Sequence, residues 1–483
     1  MEENSARVRS KGKSFQSLLI IAAVLLLVAA VFVLVILRWQ GGSNYEPAKR
    51  LIDNGYVITM DPELGSFRGD VLLDGDKIVQ VAPEITAERG VEVIDASNMI
   101  VMPGLIDNHR HMWQGLIHGS ATDLTFGEYF QQVLFGASTK FTPDDMYLGG
   151  ALASYEAIDA GVTTVLDWSH ANNTPEHALA AIRALDESKL RAVYAYSMPV
   201  TTNSVDGTPT MDDLRNAKSR TEQSPLLNFA VATVSHELNP DTKDRFFEDI
   251  RRARELGVPI TMHAGFAPRN PSIVRELHDE GLLKGDMTFV HANALSEEDF
   301  KMIAEAGAHV SSSPEIEQQM DFGDVPLASM LRAGVKPTIS LDVPSALPGD
   351  LFTQLRFLTQ TQRFLSQQTA RASGDQLQEL PYTLSESLAY VTTNAAESLG
   401  LEDHIGSLTP GKQADVIMVR NTDLNIFLNK PHDAIVQANS GNVDTVIVAG
   451  RILKKDGKLV DVDLDNLRGQ AKKANERLLR KED

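Results

Sequence analysis

The chain is predicted to be an α/β protein: a closed (β/α)8 barrel, a β-sandwich assembled from both chain ends, and one N-terminal transmembrane helix ahead of them. Three observations carry that expectation. Between residues 103 and 342, eight strand-like apolar runs alternate with helical stretches, the pattern of parallel βα units. Short β texture fills residues 48–100 and returns after residue 405. Leu18 to Leu37 is an apolar run of 20 residues without charge, proline or glycine, long enough to cross a hydrocarbon core of about 30 Å as a helix.

In chain order, residues 1–44 read as a basic tail, an anchor and a tether. A cleaved signal peptide has an apolar core of roughly 7–15 residues and a small-residue end, whereas this run continues into Arg38-Trp39. Arg7, Arg9, Lys11 and Lys13 precede it, against Arg38, Lys49 and Arg50 after it. The expectation is therefore a single-pass protein with its N-terminus inside and its catalytic body outside the cytoplasm. Residues 45–102 form the first part of the sandwich, with strands at Leu51–Thr59, Gly69–Leu73, Lys77–Ala82 and Glu92–Ile94. Residues 401–463 form the second, with Ala414–Val419, Thr445–Ala449 and a terminal hairpin. Residues 464–483 place Leu464, Leu467, Ala471, Ala474 and Leu478 on one stripe of an amphipathic helix that packs on its own barrel.

Residues 103–400 hold the barrel. Its strands are read as the run ending at His111, then Thr163–Asp167, Ala192–Ser197, Asn228–Ser235, Pro259–Ala264, Met287–His291, Ala308–Ser312 and Lys336–Asp342. A TIM-like barrel carries its active site at the C-terminal ends of the strands. There the sequence places His109, His111, His170, His236, His263, His291 and Asp342, six of the twelve histidines. His109 and His111 are two residues apart on a strand and so share one face. Two neutral imidazoles aimed into one cavity suit a divalent transition metal. The chain has no cysteine, so a metal must sit on His, Asp, Glu or a modified lysine. A net charge of -20 argues against nucleic acid or an acidic membrane surface as partner of the main body.

Pro103-Gly104-Leu105-Ile106-Asp107-x-His109-x-His111, a histidine on each of strands five and six, an aspartate ending strand eight, and Gly411-Lys412-Gln413-Ala414-Asp415 occur in that order. Together they resemble the amidohydrolase superfamily, in particular the cytosine deaminase, adenosylhomocysteine deaminase and chlorotriazine hydrolase branch. The resemblance covers roughly residues 48 to 460 and implies a metal-dependent barrel with a sandwich built from both ends. It implies that His109, His111, His263 and Asp342 are metal ligands, that Asp342 takes the proton of the attacking water, and that His291 holds that water or polarises the scissile bond. One divalent ion is expected, zinc first, with iron also accepted by such ligands. Binuclear members carry a bridging lysine on strand four, and Asn228–His236 contains none. The resemblance also admits a homo-oligomer, which no stretch of the chain argues independently.

The deaminase branch has a glutamate three residues after the strand-five histidine, and here Phe266 stands at that place. Glu317 is the candidate replacement proton donor, with a solvated loop charge as the alternative. His118, His236, His170, Trp168, Trp113 and Gln114 are candidate substrate contacts, Trp168 as an aromatic wall for a flat ligand. The function expected is hydrolysis of a non-peptide carbon–nitrogen bond in a cyclic or amide-like small molecule. Deamination of a nitrogen heterocycle is the alternative within the enzyme class, and an inactive membrane-tethered binding module is the alternative outside it.

Overall fold

Val, Ile, Leu, Ala and Thr crowd the short runs between helices, and such residues make strands that can be buried on both faces. In the computed structural model, which describes residues 49–198, 209–266, 269–427 and 430–480, eight of these runs pair in parallel in sequence order. They are Leu105–Arg110, Val162–Ser169, Arg191–Tyr196, Leu227–Val234, Ile260–Ala264, Met287–His291, His309–Ser312 and Pro337–Ile339, here called barrel strands one to eight. Strand eight ends earlier than the Lys336–Asp342 run suggests. The residues beyond it close the ring: the Asp342 amide donates to the His109 carbonyl at 3.0 Å, and the His111 amide donates to the Asp342 carbonyl at 2.8 Å. Gly104 has to be glycine for strands one and two to approach, since a Cβ there would lie 2.0 Å from the Thr163 hydroxyl.

Local chemistry sets where the helices begin. The helix Pro143–Asp159 starts where it does because Thr142 and Asp145 form a reciprocal cap and Pro143 takes the first helical position. The polar stretch from Gln360 belongs to a helix, Leu351–Ala372, that buries Leu351, Phe352, Leu355, Leu358 and Gln362 on one face. Its polarity is that of the opposite, solvated face.

The two chain ends meet in one nine-stranded sheet. Met99–Pro103 and Val416–Arg420 lie antiparallel, with Met102 opposite Ile417. The sheet has its own core, which includes Ile52, Val57, Val71, Leu73, Val101, Val416 and Ile447. A buried ion pair ties it to the barrel: Arg191 on strand three donates to both oxygens of Asp415, at 2.8 and 3.0 Å. The C-terminal helix, Leu464–Leu478, buries Leu467, Ala471 and Leu478, and its Asn475 donates to the Leu116 carbonyl.

The membrane expectation is corrected. Among the described residues, no helix is long and apolar enough to cross a membrane; the longest, Leu351–Ala372, carries Arg356, Arg363 and Arg371. The run Leu18–Leu37 lies outside the described residues. A signal-anchor, a single-pass location and a body outside the cytoplasm therefore have no structural support.

Candidate metal centre

Three strand ends and the closing turn bring the site together. His109 and His111 leave strand one on the same face, His263 sits on strand five, and His291 ends strand six opposite Ala264. His291 and Asp342 adopt φ values of 78° and 71°, a left-handed conformation that costs a non-glycine residue on the order of 1–3 kcal/mol. The two backbone bonds to strand one hold Asp342 in it, and Ala292, just after His291, donates its amide to the Ala264 carbonyl at 3.0 Å.

One ligand atom from each of His109, His111, His263 and Asp342 falls within a cluster spanning 4.8 Å, and all four residues are buried. Asp342 Oδ1 lies 3.0 Å from His109 Nε2 and 3.1 Å from His111 Nε2. His263 Nε2 lies 3.2 Å from His109 Nε2. His111 Nδ1 is 2.6 Å from the Trp168 carbonyl, which can only accept, so Nδ1 carries the proton and Nε2 presents a lone pair. Burial lowers the His109 pKa to about 4, despite the neighbouring Asp342, and pushes His263 and His170 well below the usual imidazole value. Burial alone would raise the Asp342 carboxyl, but bonds to His109 and His111 hold it well below the usual carboxylate range. Neutral imidazole nitrogens and an ionised carboxylate thus point at one another in a buried space, an arrangement that a divalent cation relieves and three imidazoles with one carboxylate suit.

Around the cluster lies a supporting layer. Glu317 is fully buried on the helix Pro314–Gln319, where it accepts from His291 Nδ1 at 3.1 Å, the Ser313 amide at 2.7 Å and the Asn293 side chain at 3.0 Å. It therefore stands behind His291, neither a solvated charge nor a group facing the cavity, and it turns His291 Nε2 toward Asp342 Oδ2, 4.0 Å away. Trp168 stacks on His263 at 4.1 Å, and His170 stacks on His111 at 4.1 Å. Trp113 donates to His170 Nδ1 at 3.0 Å.

The cavity above the cluster is small, about 40 Å³. His170, His263, His291 and Asp342 line it, while the other candidate substrate contacts do not. Trp168, Trp113 and Gln114 are buried beneath the site rather than on its wall, because their rings and amide are spent on supporting the histidines and a loop. His236 turns outward to Glu276 at 3.1 Å, which also pairs with Lys243 and Arg269. His118 lies 3.4 Å from Glu156 and borders a separate surface groove with Tyr155 and Leu467. The wall comes instead from Phe126, Tyr129, Phe130, Leu134, Phe266, Met320 and Phe322. The first four lie on a helical segment beginning Phe126–Tyr129 and continuing as a π-helix, Phe130–Ala137. Its signal was available in the sequence: a Thr125–Glu128 capping box ahead of apolar residues at 126, 129, 130, 133 and 134.

A family model described as Amidohydrolase family matches residues 100–453. A 5-methylthioadenosine/S-adenosylhomocysteine deaminase of Symbiobacterium thermophilum is 30% identical over 445 residues, 89% of this chain and 99% of that protein. Among solved structures, an adenosine deaminase from Xanthomonas campestris with bound zinc superposes with a TM-score of 0.76 at 22% identity, covering 90% of this chain and 99% of that one. Atrazine chlorohydrolase from Arthrobacter aurescens, complexed with zinc, superposes with a TM-score of 0.73 at 22% identity over 88% and 99%.

Proposed function

This chain belongs to the amidohydrolase family, and from that premise we propose that it hydrolyses a non-peptide carbon–nitrogen bond of a cyclic or amide-like small molecule, with one divalent ion, zinc, held by His109, His111, His263 and Asp342. The observation that carries the reading is the convergence of these four buried ligand atoms at the C-terminal mouth of the barrel. When bound, the ion supplies Lewis acidity and lowers the pKa of water toward about 7. Asp342, held ionised, takes a proton from the attacking water. The water oxygen bonds to the electrophilic carbon, the carbon–nitrogen bond breaks, and its electron pair leaves on nitrogen. The proton held by Asp342 passes to that nitrogen, so a hydroxylated or acid product and ammonia or an amine are released. His291, oriented by Glu317, presents Nε2 to the same space and holds the water or the substrate oxygen.

The test is metal content by plasma mass spectrometry on the full chain, followed by chelation and reconstitution. About one zinc per chain is expected, strongly reduced in His109→Ala and His263→Ala, with turnover of a carbon–nitrogen substrate lost on chelation and restored by zinc. Absence of metal after reconstitution would overturn the reading in favour of a binding module. Deamination of a nitrogen heterocycle is the second reading, supported by the 30% identical relative's name as a deaminase. Phe266 weighs against it, since no acid follows the strand-five histidine at that spacing. Ammonia release from adenosine-type nucleosides distinguishes the two.

A further inference from the structure

The cavity wall is aromatic to an extent that the hydrolytic chemistry does not require. Phe126 stacks on Phe266, and both lie edge-on to Phe322, with ring centroids 4.8 to 6.2 Å apart. Phe130 packs on Phe126 at 4.8 Å. Among the described lining residues, Asp342 is the sole carboxylate, and none is a lysine, arginine, asparagine or glutamine. Two further carboxylates near the site are committed: Glu317 to His291, Ser313 and Asn293, and Glu237 to the Ser235 hydroxyl and the Gly265 amide, both at 2.7 Å. Among the described lining residues, a ligand with ribose hydroxyls, a charged tail or a ring nitrogen that must be protonated finds only the histidines, Asp342 and Tyr129 as polar partners, and each buried polar group left unpaired costs about 1–3 kcal/mol.

Besides His170, whose Nδ1 accepts from Trp113 and whose proton therefore sits on Nε2, a second polar group lining the cavity is oriented and has a proton to give. Ser345, on the loop after Asp342, donates to Gln114 Oε1, which fixes that amide so that its nitrogen donates to the Tyr129 hydroxyl at 2.6 Å. The Tyr129 oxygen is therefore an acceptor within the protein, and its own proton has no acceptor among the described residues. Tyr129 lines the same cavity as Asp342 and His291. We propose, on the basis of the hydrolytic reading above, that the cavity takes a neutral apolar carbonyl compound, an N-aryl or N-alkyl amide or a cyclic imide, whose carbonyl oxygen receives the hydroxyl proton of Tyr129 in a hydrogen bond. As the water oxygen adds to the carbonyl carbon, negative charge grows on the oxygen facing Tyr129. The carbon–nitrogen bond then breaks with its electron pair on nitrogen, and nitrogen takes the proton from Asp342; an amide gives a carboxylic acid and an amine, and a cyclic imide gives one ring-opened carboxylic acid that keeps its second amide. The aromatic rings hold the organic substituent and exclude bulk water.

The test uses the zinc-loaded full chain with acetanilide, naphthyl acetamide and adenosine, following amine or ammonia release. The expected result is kcat/KM rising from acetanilide to naphthyl acetamide and exceeding that for adenosine by about 100-fold or more. Tyr129→Phe should lower kcat on the amides about 100-fold, the size of one lost oxyanion donor, with KM within about threefold and zinc content unchanged. Gln114→Leu, which removes the group that orients the hydroxyl, should lower kcat about tenfold with zinc retained. Adenosine turned over as fast as the amides would overturn the substrate class, and wild-type kcat in Tyr129→Phe would overturn the donor. A zinc-loaded chain that neither cleaves naphthyl acetamide nor binds it by tryptophan fluorescence would also overturn this proposal. A chain that takes up no zinc would instead overturn the hydrolytic reading on which it rests.

Discussion

The floor of the cavity and its wall are built on opposite principles. The floor is polar, and its residues stand on strand ends and the closing turn, where backbone bonds across strands one, five, six and eight hold each side chain. The wall is largely apolar and comes from the loops and short helices above the strands, chiefly Phe126, Tyr129, Phe130, Leu134, Phe266, Met320 and Phe322. A barrel separates the two tasks in this way because strand register is rigid and loop sequence is free to vary. The proposed function accordingly assigns the chemistry to the floor and substrate choice to the wall.

Variants that split kcat from KM can break or sharpen this comparison. The largest effect belongs to the floor: Asp342→Asn should lower turnover by about 10²–10⁴-fold, the range of a lost general base, while circular dichroism stays native. A rate within tenfold of wild type would remove Asp342 from the proton-accepting role. Glu317→Gln comes next, at about 10- to 100-fold in kcat, because a neutral amide orients His291 less firmly. Its pH–rate profile should change as well, and an identical profile would mean that Glu317 only fills space. In the wall, Phe322→Ala should raise KM about tenfold for the substrate, roughly 1.4 kcal/mol of lost apolar contact, with kcat and zinc content nearly unchanged. A loss of zinc in that variant would show that floor and wall are not separable.

A separate effect lies outside both regions. Burial raises the Asp249 carboxyl to about 6, although Arg245 and the Thr233 hydroxyl favour its charged form. The folded state thus binds a proton more tightly than the unfolded chain, whose carboxyl titrates near 3.8. The contribution of Asp249 to stability is greatest below that value and is lost as pH rises through 6, by no more than about 1.4 kcal/mol per pH unit. Thermal melts of wild type and Asp249→Asn between pH 4 and 7 check this. Equal slopes would show that Asp249 is not responsible.

Much of the floor was legible in the linear chain. A His-x-His pair on a strand, histidines at two later strand ends and an aspartate after the last run all depend on period and order, which local chemistry dictates. The Glu317 position was legible as a residue but not as a neighbour of His291, because the pairing spans 26 residues and depends on how strand seven's helix folds back. Trp168, Trp113, His236 and His118 lie close to the mouth in sequence, yet they point beneath it or away from it. Side-chain direction at a strand end depends on local backbone twist and on competing partners such as Glu276 and Glu156.

By itself, then, the amino-acid sequence determined the alternation of strands and helices, the order of the metal-ligand candidates and the joining of both ends into β structure. These follow from hydrophobic period and from residue types whose chemistry is independent of their surroundings. Only the tertiary structure decided that Asp342 closes the barrel between His109 and His111, that Glu317 accepts from His291, and that phenylalanines and Tyr129, not Trp113, Gln114 or Trp168, line the cavity beside the candidate metal ligands. Those outcomes rest on contacts between residues distant in the chain, whose energies exist only once the ring of strands has closed.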